Sequence, residues 1–323
     1  MSCASKHFAV RYLNNHDICE RWRHKCNRLG AYQMGNQESM QMISNRSTKV
    51  KISLGGVEEA LMLPVWARVK ENEKDKPYVV DAKVSEIGRQ IEYDFGRVRR
   101  FFSQGPFNKI NIVLYAIRDK YFDAAIEKFI SAHPKATVVN IGAGLDMTFY
   151  RVDNGSIRWY DVDLPDVIDL RRRLVPETAR SKCIAKSVLD FSWLEDIATA
   201  KDGLFLFAGN VLGYFDAGHL KRLFSAIATR YPGAEIIFDC PNMIGRWFGN
   251  LTLKRAGMKD APVRWATSGG KEITKWGNYV EVVDEWPFFS RASRDPSWTW
   301  DTVMLMRLSD WFKSMKVIHL RFR

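Results

Sequence analysis

The sequence predicts an α/β fold, a doubly wound and mostly parallel sheet of seven strands with a helical N-terminal lid. Three observations predict it. After Pro134, short apolar β-runs alternate with helical stretches; the first of these runs enters a Gly-x-Gly turn; and two further strand-like runs flank one helix near the C-terminus. Alternation of this kind covers a parallel sheet with helices on both faces, so its strands read as near-continuous apolar runs.

The elements follow in order. Residues 1–48 are a basic N-terminal extension; over 1–45, Gln, Asn, Ser and Met mix without an apolar face, as in AYQMGNQESMQMISNRS. Residues 49–133 are mainly helical and are expected to form the lid. A helix is expected from Val57, with a break near Pro64, because proline removes a backbone donor. Val84, Ile87, Ile91, Phe95 and Val98 recur at helical steps. Val113, Ile117, Phe122, Ile126 and Phe129 repeat the pattern until His133-Pro134 stops it. Residues 134–240 hold five strands, ATVVNIGAG, IRWYDVDLP, KCIAKSVLDF, GLFLFAGNVLGYF and AEIIFDCPN, with DVIDLRRRLV and AGHLKRLFSAIATRYPG among the helices between them. Residues 241–323 begin with an irregular Trp- and Gly-rich insertion, 241–277, expected to extend the lid. The strands YVEVVDEW and KVIHLRF follow, with the helix DTVMLMRLSDWFKSM between them.

Composition narrows the function classes. With 323 residues, 46% hydrophobic and 27% charged, the chain can bury a sizeable core and is neither disordered nor linker-dominated. No run of about 18 apolar residues occurs, so neither a transmembrane helix nor a membrane partner is expected. The first thirty residues are polar and basic, without the apolar stretch of a secretory signal. Five scattered cysteines (Cys3, Cys19, Cys26, Cys183, Cys240) suit reduced thiols, and a cytoplasmic location is expected. Of the net charge of +12, residues 1–51 supply half, with nine basic side chains against three acidic ones. No aromatic–basic stripe or nucleic-acid motif accompanies this charge, so nucleic acid is not an expected partner. His16, Cys19, His24 and Cys26 are zinc-ligand types at a spacing that matches no common finger, and no metal is expected.

The segment that carries chemistry is Val138-Val139-Asn140-Ile141-Gly142-Ala143-Gly144-Leu145-Asp146, an apolar strand running into Gly-x-Gly. An acid, Asp161 or Asp163, lies about twenty residues on at the end of the second strand. Glycines there let the backbone approach a nucleotide-like ligand, and the acid accepts both ribose hydroxyls. Met147 stands where a dinucleotide fingerprint has its third glycine. That departure disfavours a pyrophosphate and suits a phosphate-free nucleoside such as S-adenosylmethionine. Asp190 of SVLDF is placed to accept from an adenine amino group, and Phe191 to pack on the ring. The plain alternative is that Asp190 caps the helix at SWLEDIA.

The run VVNIGAGLDMTFYRVDNGSIRWYDVDLPDVIDLRRRLVPE resembles the signature of the leucine carboxyl methyltransferase superfamily, and within it the branch of the tetracenomycin polyketide O-methyltransferase. GGVEEALMLPVWAR, IEYDF, AIRDKYFD, SVLDFSWL, VLGYF and KRAGMKDAPVRWA agree in the same order, so the resemblance covers roughly residues 49–323. It implies a class I methyltransferase, Rossmann-like fold with S-adenosylmethionine as cofactor. It also implies that Gly142, Ala143 and Gly144 line the methionine and ribose part of the cofactor, that Asp163 holds the ribose hydroxyls, and that Asp190 and Phe191 hold the adenine. Arg118 of AIRDKYFD would pair with the cofactor's carboxylate, which a guanidinium fork suits; without the resemblance it reads as an exposed helix charge. Many relatives carry Glu in an A-E-G-V-L pattern where this chain has Ala208-Gly209-Asn210-Val211-Leu212, so a cofactor contact from position 209 is not carried over.

The expected activity is methyl transfer to a carboxylate or phenolic oxygen of a small, polyketide-like acceptor. A carboxylate is already ionised at neutral pH, whereas a phenol, with a pKa of about 10, gains from a base. The sequence names no base, and the catalytic residues are left unassigned. Tyr93 and Tyr214 lie in the resembling motifs near the expected site mouth. Trp265, with Trp247, Phe248 and Trp276, is a candidate for lining an apolar acceptor pocket; the alternative is that these rings pack the lid onto the core. His319 alternates within the terminal strand and reads as structural. Two other readings stay open: carboxyl methylation of a protein C-terminus, and a non-catalytic binding protein on a methyltransferase scaffold. A nicotinamide dehydrogenase is disfavoured by Met147.

Overall fold

The computed structural model describes residues 49–52, 58–103, 106–197, 200–255 and 262–323; the extension 1–48, with His16, Cys19, His24 and Cys26, lies outside them. The chain enters through β1 (Val50–Lys51), α1 (Glu58–Asn72), α2 (Ala82–Gln90), β2 (Ile91–Glu92), α3 (Gly96–Ser103) and α4 (Pro106–Ala132). The sheet then begins with β3 (Thr137–Ile141), followed by α5 (Thr148–Val152), β4 (Arg158–Asp163), α6 (Pro165–Leu174), β5 (Ser181–Ala185), α7 (Trp193–Asp196) and β6 (Leu204–Ala208). A 3-10 turn at Leu212–Tyr214, α8 (Ala217–Arg230) and β7 (Glu235–Pro241) come next. Then follow α9 (Met243–Arg255), α10 (Gly270–Ile273), a 3-10 turn at Thr274–Trp276, β8 (Val280–Pro287), α11 (Trp300–Trp311) and β9 (Met315–Phe322).

The large sheet has seven strands in the order β5-β4-β3-β6-β7-β9-β8. Pairs from β5 to β7 are parallel, and β9 runs antiparallel to both its neighbours. The expected doubly wound, mostly parallel α/β architecture is therefore what forms. The chain leaves β3 to one side for β4 and β5, then returns to its other side for β6 and β7. That reversal opens a crevice at the carboxyl ends of β3 and β6, where α/β sheets bind ligands.

Period-2 alternation sorts the side chains between two cores. Val139, Ile141, Leu204, Leu206, Ile236 and Phe238 face α8, meeting Leu220, Leu223, Phe224 and Ile227. Val138, Phe205, Phe207 and Ile237 face α4, meeting Ile117, Phe122, Ile126 and Phe129. The second half of α4 thus belongs to the layer that covers the sheet. A third core joins the N-terminal helices (Met62, Val65, Val84, Ile87, Phe101, Phe102) to Leu145 and Met147 beyond β3 and to Leu170 and Leu174 of α6.

Local structure departs from the sequence expectation in four places. α1 runs through Pro64 without ending; burial of Met62, Leu63, Val65 and Ala67 around it outweighs one lost backbone donor. The helical pattern from Val84 to Val98 is interrupted, because Ile91 pairs with Val50 in the small β1–β2 sheet. The third strand stops at Ala185, and the chain turns so that Trp193 Nε1 donates to the Val188 carbonyl at 3.0 Å. The insertion 241–277 is not irregular: it contains the 13-residue α9.

Candidate active site

The turn after β3 is built by backbone geometry. Gly142 and Gly144 both have left-handed φ, 67° and 48°. Such values disfavour any side chain, and at Gly142 a Cβ would also lie 2.4 Å from Val211 Cγ2. The Gly142 and Ala143 N–H groups donate to the Val162 carbonyl. The Gly144 N–H donates to Asp163 Oδ2 at 2.7 Å, and the Leu164 N–H to Asp163 Oδ1 at 2.7 Å. Burial pushes the Asp163 carboxyl up, and those two donors pull it back. Gly142, Ala143, Gly144 and Asp163 therefore converge at the carboxyl ends of β3 and β4.

Arg118 sits on α4 one turn from Tyr115 and from Phe122, on the face that meets the sheet. It is buried, not an exposed helix charge. Its Nη2 donates to Asp239 Oδ2 at 2.7 Å, while its Nε is buried with no partner among the described residues. Asp239 Oδ1 accepts from the Asn210 N–H at 2.7 Å. Asn210 is held at φ 57°, a conformation uncommon outside glycine that clusters at functional sites. The Tyr115 ring lies 5.3 Å from the guanidinium, and its hydroxyl is pushed up to about 12 by burial. Burial also raises Tyr214, whose hydroxyl is near Asn210 and Arg118. Gly209 completes the cluster: a Cβ there would lie 3.1 Å from Arg118 Cδ. The Val211 contact with Gly142 joins this cluster to the glycine turn.

A buried charge network fastens the N-terminal helices to the same turn. Arg68 of α1 donates from Nε and Nη2 to Asp119 and from Nη2 to Asp146 Oδ2 at 2.7 Å. Arg151 bridges Asp81 and Asp123. Arg171 of α6 pairs with Asp161 and donates to the Gly144 carbonyl at 3.0 Å. Burial pushes Asp123 up to about 7 despite its Arg151 partner.

The other expected site residues fall apart from this cluster or are already occupied. Asp190 is exposed, in the loop beyond β5, where its Oδ1 accepts from the Ser192 N–H; the N-cap of α7 is Ser192, with no side-chain capping bond, so Asp190 is not the helix cap of the plain alternative. Phe191 is half-buried against the α8-side core. Tyr93 is half-buried, edge-on to Phe95 at 5.1 Å. Trp265 is buried between Phe238 and Trp276, so it packs the core and does not line an open pocket. Trp247 and Phe248 are exposed on α9, so the four rings expected to gather around an acceptor do not. His319 is held by Glu235 at 2.8 Å, as a structural residue would be. A groove of about 670 Å³ lined by His133, Lys135, Lys201, Asp202 and Tyr231 opens at the amino ends of β3, β6 and β7, the wrong edge for this site. Sequence reasoning missed Asp239, although an acid ending the apolar run IIFD is the same kind of signal as Asp163. It also missed the Arg68 network, whose members carry no local pattern.

A family model of leucine carboxyl methyltransferases matches residues 62–228. The tetracenomycin polyketide synthesis O-methyltransferase TcmP of Streptomyces glaucescens is 31% identical over 189 residues, 58% of this chain and 67% of its own length. The S-adenosyl-L-methionine-dependent methyltransferase dpfgK of Gibberella zeae is 26% identical over 281 residues, 82% of this chain and 93% of its own. Among solved structures, a duf574 family protein from Streptomyces avermitilis aligns with a TM-score of 0.56 at 13% identity, over 81% of this chain and 96% of that one. A candidate methyltransferase from Thermobifida fusca YX aligns with a TM-score of 0.51 at 14% identity, over 80% and 94%. Fold and family together define a class I methyltransferase with S-adenosylmethionine as its cofactor. The chain belongs to the leucine carboxyl methyltransferase family.

Proposed function

We propose that this methyltransferase is an O-methyltransferase, acting on the carboxylate or phenolic oxygen of a small acceptor, with its cofactor held across the carboxyl ends of β3, β4, β6 and β7. The observation that carries the reading is the buried Nε of Arg118, a charged donor without a partner among the described residues. Buried donors left unsatisfied are rare and costly, and a ligand carboxylate satisfies this one. Asp163 supports the reading further, because each of its oxygens accepts one backbone N–H and retains acceptor capacity for ribose hydroxyls. Asp190 and Phe191, on the loop beyond β5, are the adenine end of the proposal.

When bound, S-adenosylmethionine supplies an activated methyl group on a sulfonium. The chain's own residues do the rest. Arg118 and Asp163 orient, the Gly142–Gly144 turn allows close approach, and the N-terminal helices exclude water; such positioning is the main protein contribution to a displacement of this kind. Tyr115 and Tyr214, both raised by burial, stay protonated at neutral pH and serve as hydrogen-bond donors toward an acceptor, not as bases. A carboxylate acceptor needs no base, whereas a phenol gains from one. The O-methyltransferase activity in the name of the Streptomyces relative supports oxygen as the target.

Calorimetry with S-adenosylhomocysteine tests the cofactor site: binding below millimolar is expected, and none at that concentration refutes it. Labelled-methyl transfer into small-molecule extracts against whole protein extracts tests the acceptor. Label in small molecules is expected, base-labile as a methyl ester or base-stable as a phenol ether; label in protein C-termini overturns the small-acceptor reading.

A further inference from the structure

Asp239 ends the fully buried part of β7 on the face that α4 covers, and its side chain is 1% exposed. Its two oxygens accept one hydrogen bond each, from Arg118 and from the Asn210 N–H. An ionised carboxylate has about four acceptor positions, so about two stay open. Arg118 is the mirror case, with its buried Nε unused. Cation and anion thus hold spare hydrogen-bonding capacity in one place, at the carboxyl ends of β6 and β7 beside the glycine turn. The missing side chain at Gly209 gives the arginine stem its path there, since a Cβ would sit 3.1 Å from Cδ.

As a structural device this pair is a poor one. Desolvating two charges offsets most of their attraction, and an apolar pair of the same volume serves stability as well. Nor does the strained φ of 57° at Asn210 help stability; it turns a backbone donor toward Asp239. A ligand that itself brings one charge of each sign accounts for both features, because it engages the open donor and the open acceptors and leaves no buried charge uncompensated.

We propose that Asp239 is the second half of an amino-acid subsite: Arg118 takes the α-carboxylate of the cofactor and Asp239 its α-ammonium. The inference rests on the cofactor site proposed above. It makes Asp239 a binding residue that selects for the ammonium group.

The test is calorimetric titration of the full chain with three ligands: S-adenosylhomocysteine; its desamino analogue, which keeps the carboxylate; and 5′-methylthioadenosine, which lacks the amino-acid end. The wild type is expected to bind S-adenosylhomocysteine at least about tenfold more tightly than the desamino analogue. Asp239→Asn is expected to remove that preference while leaving 5′-methylthioadenosine within about twofold. Because Asp239→Asn strands a buried arginine, the double variant Arg118→Gln/Asp239→Asn is titrated beside it, with circular dichroism to check folding. The same loss of preference is expected there. No preference in the wild type, a preference retained in either folded variant, or an equal loss for 5′-methylthioadenosine overturns the proposal. A wild type that binds none of the three ligands overturns the cofactor site itself.

Discussion

A single atom decides the chemistry at Gly142. The added methyl of Gly142→Ala would meet Val211 at 2.4 Å in a left-handed backbone. Strain of this kind costs about 1–3 kcal/mol. We expect the unfolding free energy from urea titration to fall by that amount and S-adenosylhomocysteine binding to vanish; an unchanged unfolding free energy would show that the turn relaxes freely. Asp163 makes a contrasting prediction, since it addresses the ribose that all adenosyl ligands share. Asp163→Asn replaces one acceptor oxygen by a donor opposite a backbone N–H. It should weaken S-adenosylhomocysteine and 5′-methylthioadenosine alike, by about tenfold or more. Loss confined to one of the two ligands would contradict the ribose role.

Between elements, the Arg68 fork ties α1 to α4 and to the turn after β3. Removing it leaves Asp119 and Asp146 without the guanidinium that pairs with both. Breaking a buried pair in this way costs about 3–5 kcal/mol. Arg68→Met should therefore lower stability on that scale in chemical denaturation, and adding Asp119→Asn should restore part of it through relief of the stranded charge. If the single variant costs under about 1 kcal/mol, α1 is held by its apolar face alone and the network is incidental. Arg151, with Asp81 and Asp123, ties α2 and α4 to α5 in the same manner, so three N-terminal helices reach the site through charge as well as packing.

Across the molecule, buried acids set the dependence of stability on pH. Asp123 is pushed up to about 7 and Asp310 to about 6, both by burial first. Between the unfolded carboxyl value near 4 and these folded values, the native state binds more protons than the unfolded one. Stability therefore falls as pH rises through that window. Acids held low, such as Asp146 and Glu235, act oppositely and lose their contribution only as pH falls below the ordinary carboxyl range. The melting temperature should decline from about pH 5 to pH 8. Asp123→Asn and Asp310→Asn should each flatten that decline in a calorimetric pH series; parallel profiles for wild type and variants would remove these acids as the cause.

The sequence by itself determined the parallel sheet, the glycine turn with its acid at Asp163, and the family, because each is written in local order. Strand periodicity, backbone freedom at glycine and a motif of fixed spacing all act over a few residues. The third strand ends early in a turn that Trp193 holds on Val188, and α1 runs through Pro64 because burial of the residues beside it outweighs the lost donor; neither burial nor that turn is written in local propensity. Only the tertiary structure decided what Arg118 faces. Its partner Asp239 is 121 positions away, and no local pattern distinguishes a solvated helix arginine from one folded against the sheet. The same holds for Trp265 and Trp247, equal as sequence but opposite in burial. Indoles and charges take their roles from the surface they are pressed against, and that surface exists only once the sheet has closed over α4 and α8.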